Sequence, residues 1–325
     1  MRHLLTLFEI TQSELADILS VGGQIKRLLA SGRRPPWLAQ RVLAMLFEKP
    51  SLRTRVSFEA GIIQLGGAAM FLGQDVGWQS RESTDDFVRV LAQYADFVVC
   101  RAKSHSSVVE LAKHDCIPII NGLTDMAHPC QALADLMTMQ EVVGSLKDRQ
   151  LTFVGDGNNV ARSLALACAM VNMRFRLLGP SGYSMDEKWI AQIVERYPHA
   201  DIVQSSDPRV ALKGTDFVYT DVWTSMGQEQ ESAIRRAAFV GYQLNANLMR
   251  FAPQQARVLH CLPARRGEEI TDEIIDSPQS IVVEQAGNRM HAQKGLLVWM
   301  SIQHRWVEPL ALTSEGIHLE TTVPR

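Results

Sequence analysis

The chain has 325 residues, which is long enough for two globular domains. Of these residues 46% are hydrophobic and 21% are charged, a composition that allows each domain a buried core. Its 33 basic and 35 acidic side chains leave a net charge of −2, which excludes a global field that would attract nucleic acid or a membrane surface. The five cysteines are scattered without a CxxC pair, so neither a disulfide framework nor a zinc site is expected. With no signal peptide or membrane span in the pattern, a cytoplasmic location is expected.

Short apolar runs alternate with amphipathic segments along the whole chain, which is typical of α/β proteins with parallel sheets. The predicted strands lie near residues 43–47, 97–100, 117–121, 151–154, 175–178, 202–204, 217–219, 258–261 and 281–284. One predicted helix begins after a cap at Thr11 or Ser13, and another begins at residue 128. Further helices are predicted over residues 51–65, 84–94, 160–171, 185–197 and 290–306. The polar stretch 144–150 predicts domains 1–147 and 148–289, followed by a C-terminal segment 290–325.

The segment FEKPSLRTRVSFE, residues 47–59, combines the end of an apolar strand with a helix start rich in arginines and hydroxyls. Free N–H groups in the first turn of a helix, together with the helix dipole, bind phosphate. Arg53 and Arg55 add guanidinium donors that match phosphate geometry. The alternative is an ordinary N-cap at Ser51 followed by a solvated basic face.

Two further segments point to the same kind of site. His128 precedes Pro129, a residue favoured at the first helical position, and Gln131 follows one turn in. Arg101 directly follows the predicted strand 97–100, at the carboxyl edge where ligands bind to open α/β sheets. These positions predict one crevice that gathers donors for an anion.

Four motifs in order and at suitable spacing resemble the ornithine carbamoyltransferases. They are FEKPSLRTRVSFE, HPCQ at residues 128–131, DVWTSMG at 221–227 and HCLP at 260–263. The resemblance implies two α/β domains, each with a parallel sheet flanked by helices, and an active site in the cleft between them. It also implies that the final helix packs back on the first domain.

The resemblance assigns roles to particular residues. For carbamoyl phosphate it implies binding by Ser51, Leu52, Arg53, Thr54, Arg101, His128, Gln131, Cys261, Leu262 and Arg289. For ornithine it implies Asn159, Asp221, Ser225 and Met226. The catalytic set would be Arg101, His128, Asp221 and Cys261. The expected reaction converts carbamoyl phosphate and L-ornithine to L-citrulline and phosphate in a cytoplasmic homotrimer or a multiple of it, without metal, cofactor, nucleic acid or membrane.

The chemistry needs these residue types. Attack by an amine on the carbamoyl carbon builds negative charge on the carbonyl oxygen, and Thr54, Arg101 and His128 are donors suited to it. Asp221 and Cys261 would orient and deprotonate the amine, although a free cysteine is more often a buried small apolar residue.

Two positions depart from the family pattern. Leu52 replaces a usual threonine, so one hydroxyl is lost and its backbone N–H remains. Gly77 stands where a neighbouring subunit usually supplies a glutamine, for which Trp78, Gln79 or Arg81 would have to substitute.

Three alternatives remain open. Gly155-Asp-Gly157 after a strand suggests a dinucleotide-dependent oxidoreductase, but Val160 occupies the place of the third glycine of that fingerprint. A non-catalytic carbamoyl phosphate-binding homologue is the second, and a carbamoyltransferase for acylated ornithine or putrescine is the third. The sequence also leaves open whether the reaction serves arginine synthesis or arginine breakdown.

Overall fold

A computed structural model describes residues 1–78, 80–224 and 229–308. The chain divides into two compact units, the first formed by residues 1–137 and the segment from 287 onward, and the second by residues 138–286. Each unit is built on one parallel sheet, which confirms the predicted class of two α/β domains.

The first unit contains a four-stranded sheet. Its strands are β1 (Val42–Phe47), β2 (Ala68–Leu72), β3 (Phe97–Arg101) and β4 (Ile119–Leu123), in the order β2-β1-β3-β4. Its helices are α1 (Gln12–Ala30), α2 (Leu52–Gln64), α3 (Thr84–Leu91), α4 (His105–Lys113) and the start of α5 (Pro129–Val143). Thr11 caps α1 through a capping box with Glu14, as the sequence predicts.

The second unit contains a five-stranded sheet. Its strands are β5 (Gln150–Val154), β6 (Arg174–Leu178), β7 (Asp201–Ser205), β8 (Phe217–Thr220) and β9 (Arg257–His260), in the order β7-β6-β5-β8-β9. Its helices are α6 (Asn159–Met170), α7 (Glu187–Arg196), α8 (Pro208–Ala211), α9 (Ser232–Phe239), α10 (Ala246–Met249) and α11 (Asp272–Ile275). The helix α12 (Val282–Gln303) then carries the chain back into the first unit.

Strand register decides which loops meet within each unit. Phe47 at the end of β1 pairs with Arg101 at the end of β3, so the turn into α2 starts beside Arg101. In the second sheet Val154 pairs with Thr220, and Thr220 pairs with His260. Because all these strands are parallel, the residues that follow them emerge at one edge of their sheet.

The structure corrects two sequence predictions. The strand predicted at residues 281–284 is wrong, since α12 begins at Val282 and only Ser280 forms a bridge to Val258. A short β-branched run cannot be told from the start of a buried helix by its pattern. The strand β2 was not predicted, although its five residues, AAMFL, are all apolar; it is a half-exposed strand at the edge of the sheet and begins directly after Gly66 and Gly67. Within the described residues, no helix is long and apolar enough to cross a membrane.

Candidate active site

The turn from β1 into α2 places donors at the edge of the first sheet. Ser51 is the N-cap of α2, and its hydroxyl accepts the N–H of Thr54 at 3.4 Å and donates to Thr54 Oγ1 at 3.1 Å. The first turn of α2 carries no acidic residue, so its N–H groups and dipole favour an anion. The Leu52 side chain is 73% exposed, which leaves its backbone as the group it offers here.

Two buried arginines converge on the Thr54 hydroxyl. Arg101 Nη1 lies 3.4 Å from Thr54 Oγ1, and Arg289 Nη2 donates to the same oxygen at 3.1 Å. Arg289 Nη1 also donates to Gln131 Oε1 at 2.6 Å. Two guanidinium groups held this close form a strongly positive site that suits a phosphate or carbonyl oxygen.

Gln131 is oriented from both ends of its amide. Its Nε2 donates to Asp135 Oδ1 at 2.8 Å while its Oε1 accepts from Arg289, and both carboxamide and carboxylate are buried. The hydrogen-bond chain from Asp135 through Gln131 therefore holds the Arg289 guanidinium in place.

His128 lies at the start of α5 and is buried in this positive environment. Burial lowers the pKa of His128 well below its usual range, and the charges of Arg289 and Arg101 lower it further. The imidazole is therefore neutral near pH 7 and can donate one hydrogen bond without adding charge. The neighbouring Cys130 is inert, because burial raises the pKa of its thiol to about 12. We call Thr54, Arg101, His128, Gln131 and Arg289 the arginine cluster.

The second unit presents a group of opposite character at the ends of β8 and β9. Asp221 Oδ1 accepts the N–H of Val222 at 2.8 Å and the Cys261 thiol at 3.0 Å. Asp221 Oδ2 accepts from Asn158 Nδ2 at 3.0 Å. The carboxylate is buried and held by three donors from three segments, so its direction is fixed.

Asn158 is a residue that sequence reasoning passed over in favour of Asn159. Its side chain caps α6 by accepting the N–H groups of Val160 and Ala161 while donating to Asp221. Asn159 is the first residue of α6 and half-buried. The signal for Asn158 was available, since asparagine before an apolar helix is a favoured N-cap.

His260 fixes the backbone that carries Cys261 and Leu262. His260 Nε2 lies 2.9 Å from Glu269 Oε1, and its Nδ1 accepts the N–H of Leu262 at 2.8 Å. Leu262 has a φ of +57°, a left-handed conformation that is strained for a leucine and needs such support. We call Asn158, Asp221, His260 and Cys261 the aspartate cluster.

The aspartate cluster also has a donor set that a metal could use. Asp221, His260 and Cys261 each offer one ligand atom, all within 4.8 Å of one another. However, both ring nitrogens of His260 are engaged with Glu269 and Leu262, and the thiol donates to Asp221. The contacts of these side chains therefore describe a hydrogen-bond network that positions a carboxylate and a thiol.

Arg235 and Asp156 form an ion pair of low exposure, close enough to Asp221 for the two carboxylates to interact electrostatically. Arg235 contacts the carboxylate of Asp156, and its Nε donates to the carbonyl of Trp223 at 2.5 Å. Burial raises the pKa of Asp156 to about 6; Arg235 opposes this shift and Asp221 adds to it. Arg235 thus ties the turn after β5 to the segment that follows Asp221.

Some predicted positions lie elsewhere. Ser225, Met226 and Gln79 lie outside the described residues. Gly77 has a φ of +74°, and the Arg81 side chain folds over it, while Trp78 stacks on Phe87. Of the three possible replacements for the usual glutamine, the structure describes Trp78 and Arg81, and Arg81 is the one of these two that carries a positive charge.

The close packing of two segments explains why residue 157, in the turn Gly155-Asp-Gly157, is a glycine. A side chain at Gly157 would collide with the backbone of Met185, so glycine is required there by the approach of two segments of the second unit. The dinucleotide hypothesis loses the feature that suggested it.

Comparisons with known proteins point in one direction. Residues 2–141 match a family model described as "Aspartate/ornithine carbamoyltransferase, carbamoyl-P binding domain", and residues 147–300 match the "Asp/Orn binding domain" of the same name. A protein of Bacillus cereus named ornithine carbamoyltransferase is 49% identical over 300 residues, 91% of this chain and 93% of that protein. A relative of the same name from Bacillus thuringiensis is 48% identical over the same shares.

Solved structures agree. The ornithine carbamoyltransferase of Pyrococcus furiosus superposes with a TM-score of 0.88 at 44% identity, covering 92% of this chain and 96% of that one. The enzyme of that name from Thermus thermophilus gives a TM-score of 0.83 at 36% identity, covering 95% and 99%.

Proposed function

The chain belongs to the aspartate/ornithine carbamoyltransferase family, and we propose that it transfers the carbamoyl group of carbamoyl phosphate to L-ornithine, giving L-citrulline and phosphate. Two observations support this choice of substrates: this chain has a cationic arginine cluster in its first unit and a hydrogen-bonded Asp221–Cys261 pair in its second, and its relatives are named ornithine carbamoyltransferase.

In this proposal the first unit binds carbamoyl phosphate. The N–H groups at the start of α2 and the Arg53 side chain receive the phosphate dianion, with Ser51 and Leu52 contributing at the cap. Thr54, Arg101 and His128 donate to the carbonyl oxygen, where charge grows as the amine attacks. Arg289, fixed by Gln131, completes the positive surface.

The second unit prepares the amine. An ammonium group must lose a proton before its nitrogen can attack, and Asp221 accepts hydrogen bonds in a fixed direction that suits this task. After the first proton has passed by way of Asp221 to solvent, the nitrogen forms a bond to the carbamoyl carbon and the bond from that carbon to the phosphate oxygen breaks. The phosphate leaves with the electron pair and takes the second proton, which the nitrogen loses as it becomes part of the product amide. Cys261 and Leu262 belong at the reacting centre, and Asn159, Ser225 and Met226 at the amino-acid end of ornithine.

The test is a citrulline-type assay with carbamoyl phosphate and four amines offered in parallel: L-ornithine, N-acetyl-L-ornithine, putrescine and L-aspartate. Turnover with L-ornithine alone is the expected result. Turnover with another amine would keep the carbamoyl phosphate assignment and overturn the second substrate. Binding of carbamoyl phosphate without turnover would favour a binding protein.

We also propose a cytoplasmic homotrimer or a multiple of it, as the resemblance implies. Light scattering on the purified protein would then give a mass of three chains of 36.3 kDa, or a multiple of three. A monomer or dimer would contradict the proposed assembly.

A further inference from the structure

A small pocket in the first unit lies between the end of α1, the end of α2 and the middle of α12. Its polar lining consists of Arg33, Arg34, Gln64 and Lys294, and Leu29 and Trp37 contribute apolar walls. None of these residues belongs to the arginine cluster. Lys294 follows Arg289 by five positions on α12, a rotation of about 140° around the helix axis, so the two side chains leave the helix in different directions.

Lys294 is a buried cation with a neutral partner. The residue is 1% exposed, and its Nζ donates to Gln64 Oε1 at 2.8 Å. Among the described residues, no carboxylate forms an ion pair with Lys294. A buried ammonium without a counter-charge is unfavourable by several kcal/mol, which makes its environment receptive to an anion.

Further positive charge surrounds this ammonium. Burial lowers the pKa of Lys294 to about 8, and the charge of Arg34 contributes to that shift. His291, almost one turn earlier on α12, has its pKa lowered to about 4 by burial and then by Lys294 and Lys26. Lys294 remains mostly protonated at pH 7, so the pocket carries at least two positive groups, Lys294 and Arg34.

We propose that this pocket binds a small oxyanion, a carboxylate or phosphate group, between Lys294 and Arg34, at a site separate from the arginine cluster. An oxyanion can accept from the ammonium and the guanidinium together, which a single monatomic ion does less well.

Calorimetric titration of the full-length protein at pH 7 tests the site, with inorganic phosphate and acetate as the two probes. Because phosphate is also expected at the start of α2 and in the arginine cluster, an Arg53→Ala/Arg101→Met double variant serves as the background that disrupts that site. In this background phosphate, acetate or both should still bind with a stoichiometry of one per chain. Lys294→Met and Arg34→Ala, added to that background, should each weaken the binding about 10- to 100-fold.

The choice of probe separates the sources of the anion. Binding of acetate above phosphate identifies a carboxylate, and the reverse identifies phosphate. Lys213→Met, at an exposed lysine of the second unit, is the matched control and should leave the binding unchanged.

Two results would overturn the site: no binding of either probe in the Arg53→Ala/Arg101→Met background, or equal weakening by Lys213→Met. Arg34 is exposed, so its variant remains informative if Lys294→Met fails to fold. The titration involves no turnover, and its failure leaves the proposed carbamoyl transfer untouched.

Discussion

The arginine cluster and the aspartate cluster occupy the same topological place, yet their charges are opposite. Both form where parallel strands end, β1 and β3 in the first unit and β8 and β9 in the second. The first holds two buried guanidinium groups beside a neutral imidazole, whereas the second holds a buried carboxylate and a thiol. The fold therefore fixes the position of a site, and the side chains beyond the strand ends decide which ligand charge it accepts.

The largest effect should come from the arginine cluster. Arg101→Met removes a preorganised donor, so kcat/KM for carbamoyl phosphate should fall about 100- to 1000-fold. Arg101→Lys should retain only part of the original kcat/KM, because an ammonium group cannot form the two parallel hydrogen bonds of a guanidinium group. Steady-state citrulline formation measures both variants. Arg55→Met is the control, because the structure places this predicted phosphate donor at the surface, over Phe71 and paired with Glu59. An equal loss of kcat/KM in that variant would contradict a specific role for Arg101.

A change in the aspartate cluster should affect the other substrate. Asp221→Asn keeps the shape of the side chain but removes its charge, so kcat/KM for ornithine should fall about 100-fold or more. Calorimetry should show carbamoyl phosphate binding within about twofold of the unaltered protein, since the donors that bind it are unchanged. If carbamoyl phosphate binding fell as strongly, the division of labour between the clusters would be wrong. Asp272→Asn at the surface is the matched control.

Variants of Asn158 distinguish its structural role, as the cap of α6, from a role in positioning Asp221. Asn158→Ala removes both the cap of α6 and the donor to Asp221, and the lost cap should lower the free energy of unfolding by about 1 kcal/mol. Asn158→Ser keeps a capping oxygen but loses the donor to Asp221. Both variants should raise KM for ornithine about 10-fold, as expected for a lost hydrogen bond to a charged group. Normal kinetics for Asn158→Ser would reduce Asn158 to a cap.

The smallest effects concern stability against pH, and they have opposite signs in the two units. The pKa of His128 is lowered, so on acidification below about 6.5 the unfolded chain takes up a proton that the folded chain refuses, and stability falls. The pKa of Asp156 is raised from 3.8 to about 6, so the folded chain binds the extra proton in that window, and stability falls as pH rises through it.

Urea unfolding between pH 4 and pH 8 should resolve these contributions. His128→Asn should make the loss of stability on acidification shallower, and Asp156→Asn should make it steeper, each by at most about 1.4 kcal/mol per pH unit. Changes of the same sign in both variants would contradict the opposite contributions of His128 and Asp156.

Some of the site could be predicted from local pattern. The N-cap at Ser51, the first helical position at Pro129 and the position of Arg101 directly after an apolar run are visible in the sequence, and all three occur in the structure. Asp221 lies just after the predicted strand 217–219, and Cys261 is the last residue of the predicted strand 258–261. Their contact depends on β8 lying beside β9, which no local pattern states.

Other contributions had no local signal. Glu269 supports His260 from a loop, and Arg235 reaches Asp156 from a helix that the sequence pattern did not predict. The half-exposed β2 and the start of α12 at Val282 were misjudged because edge strands and short β-branched runs give ambiguous periodicity.

The sequence by itself determined the α/β class, the starts of α1, α2, α3 and α5 and, through its motifs, the family. Apolar periodicity and capping residues act over a few positions, so they can be recognised without knowledge of the fold. The tertiary structure decided which side chains meet: Arg289 reaches Thr54 across 235 positions, Asn158 reaches Asp221 across 63, and Lys294 reaches Gln64 across 230. Such contacts depend on strand register and helix packing, which arise only when distant segments bury their surfaces together.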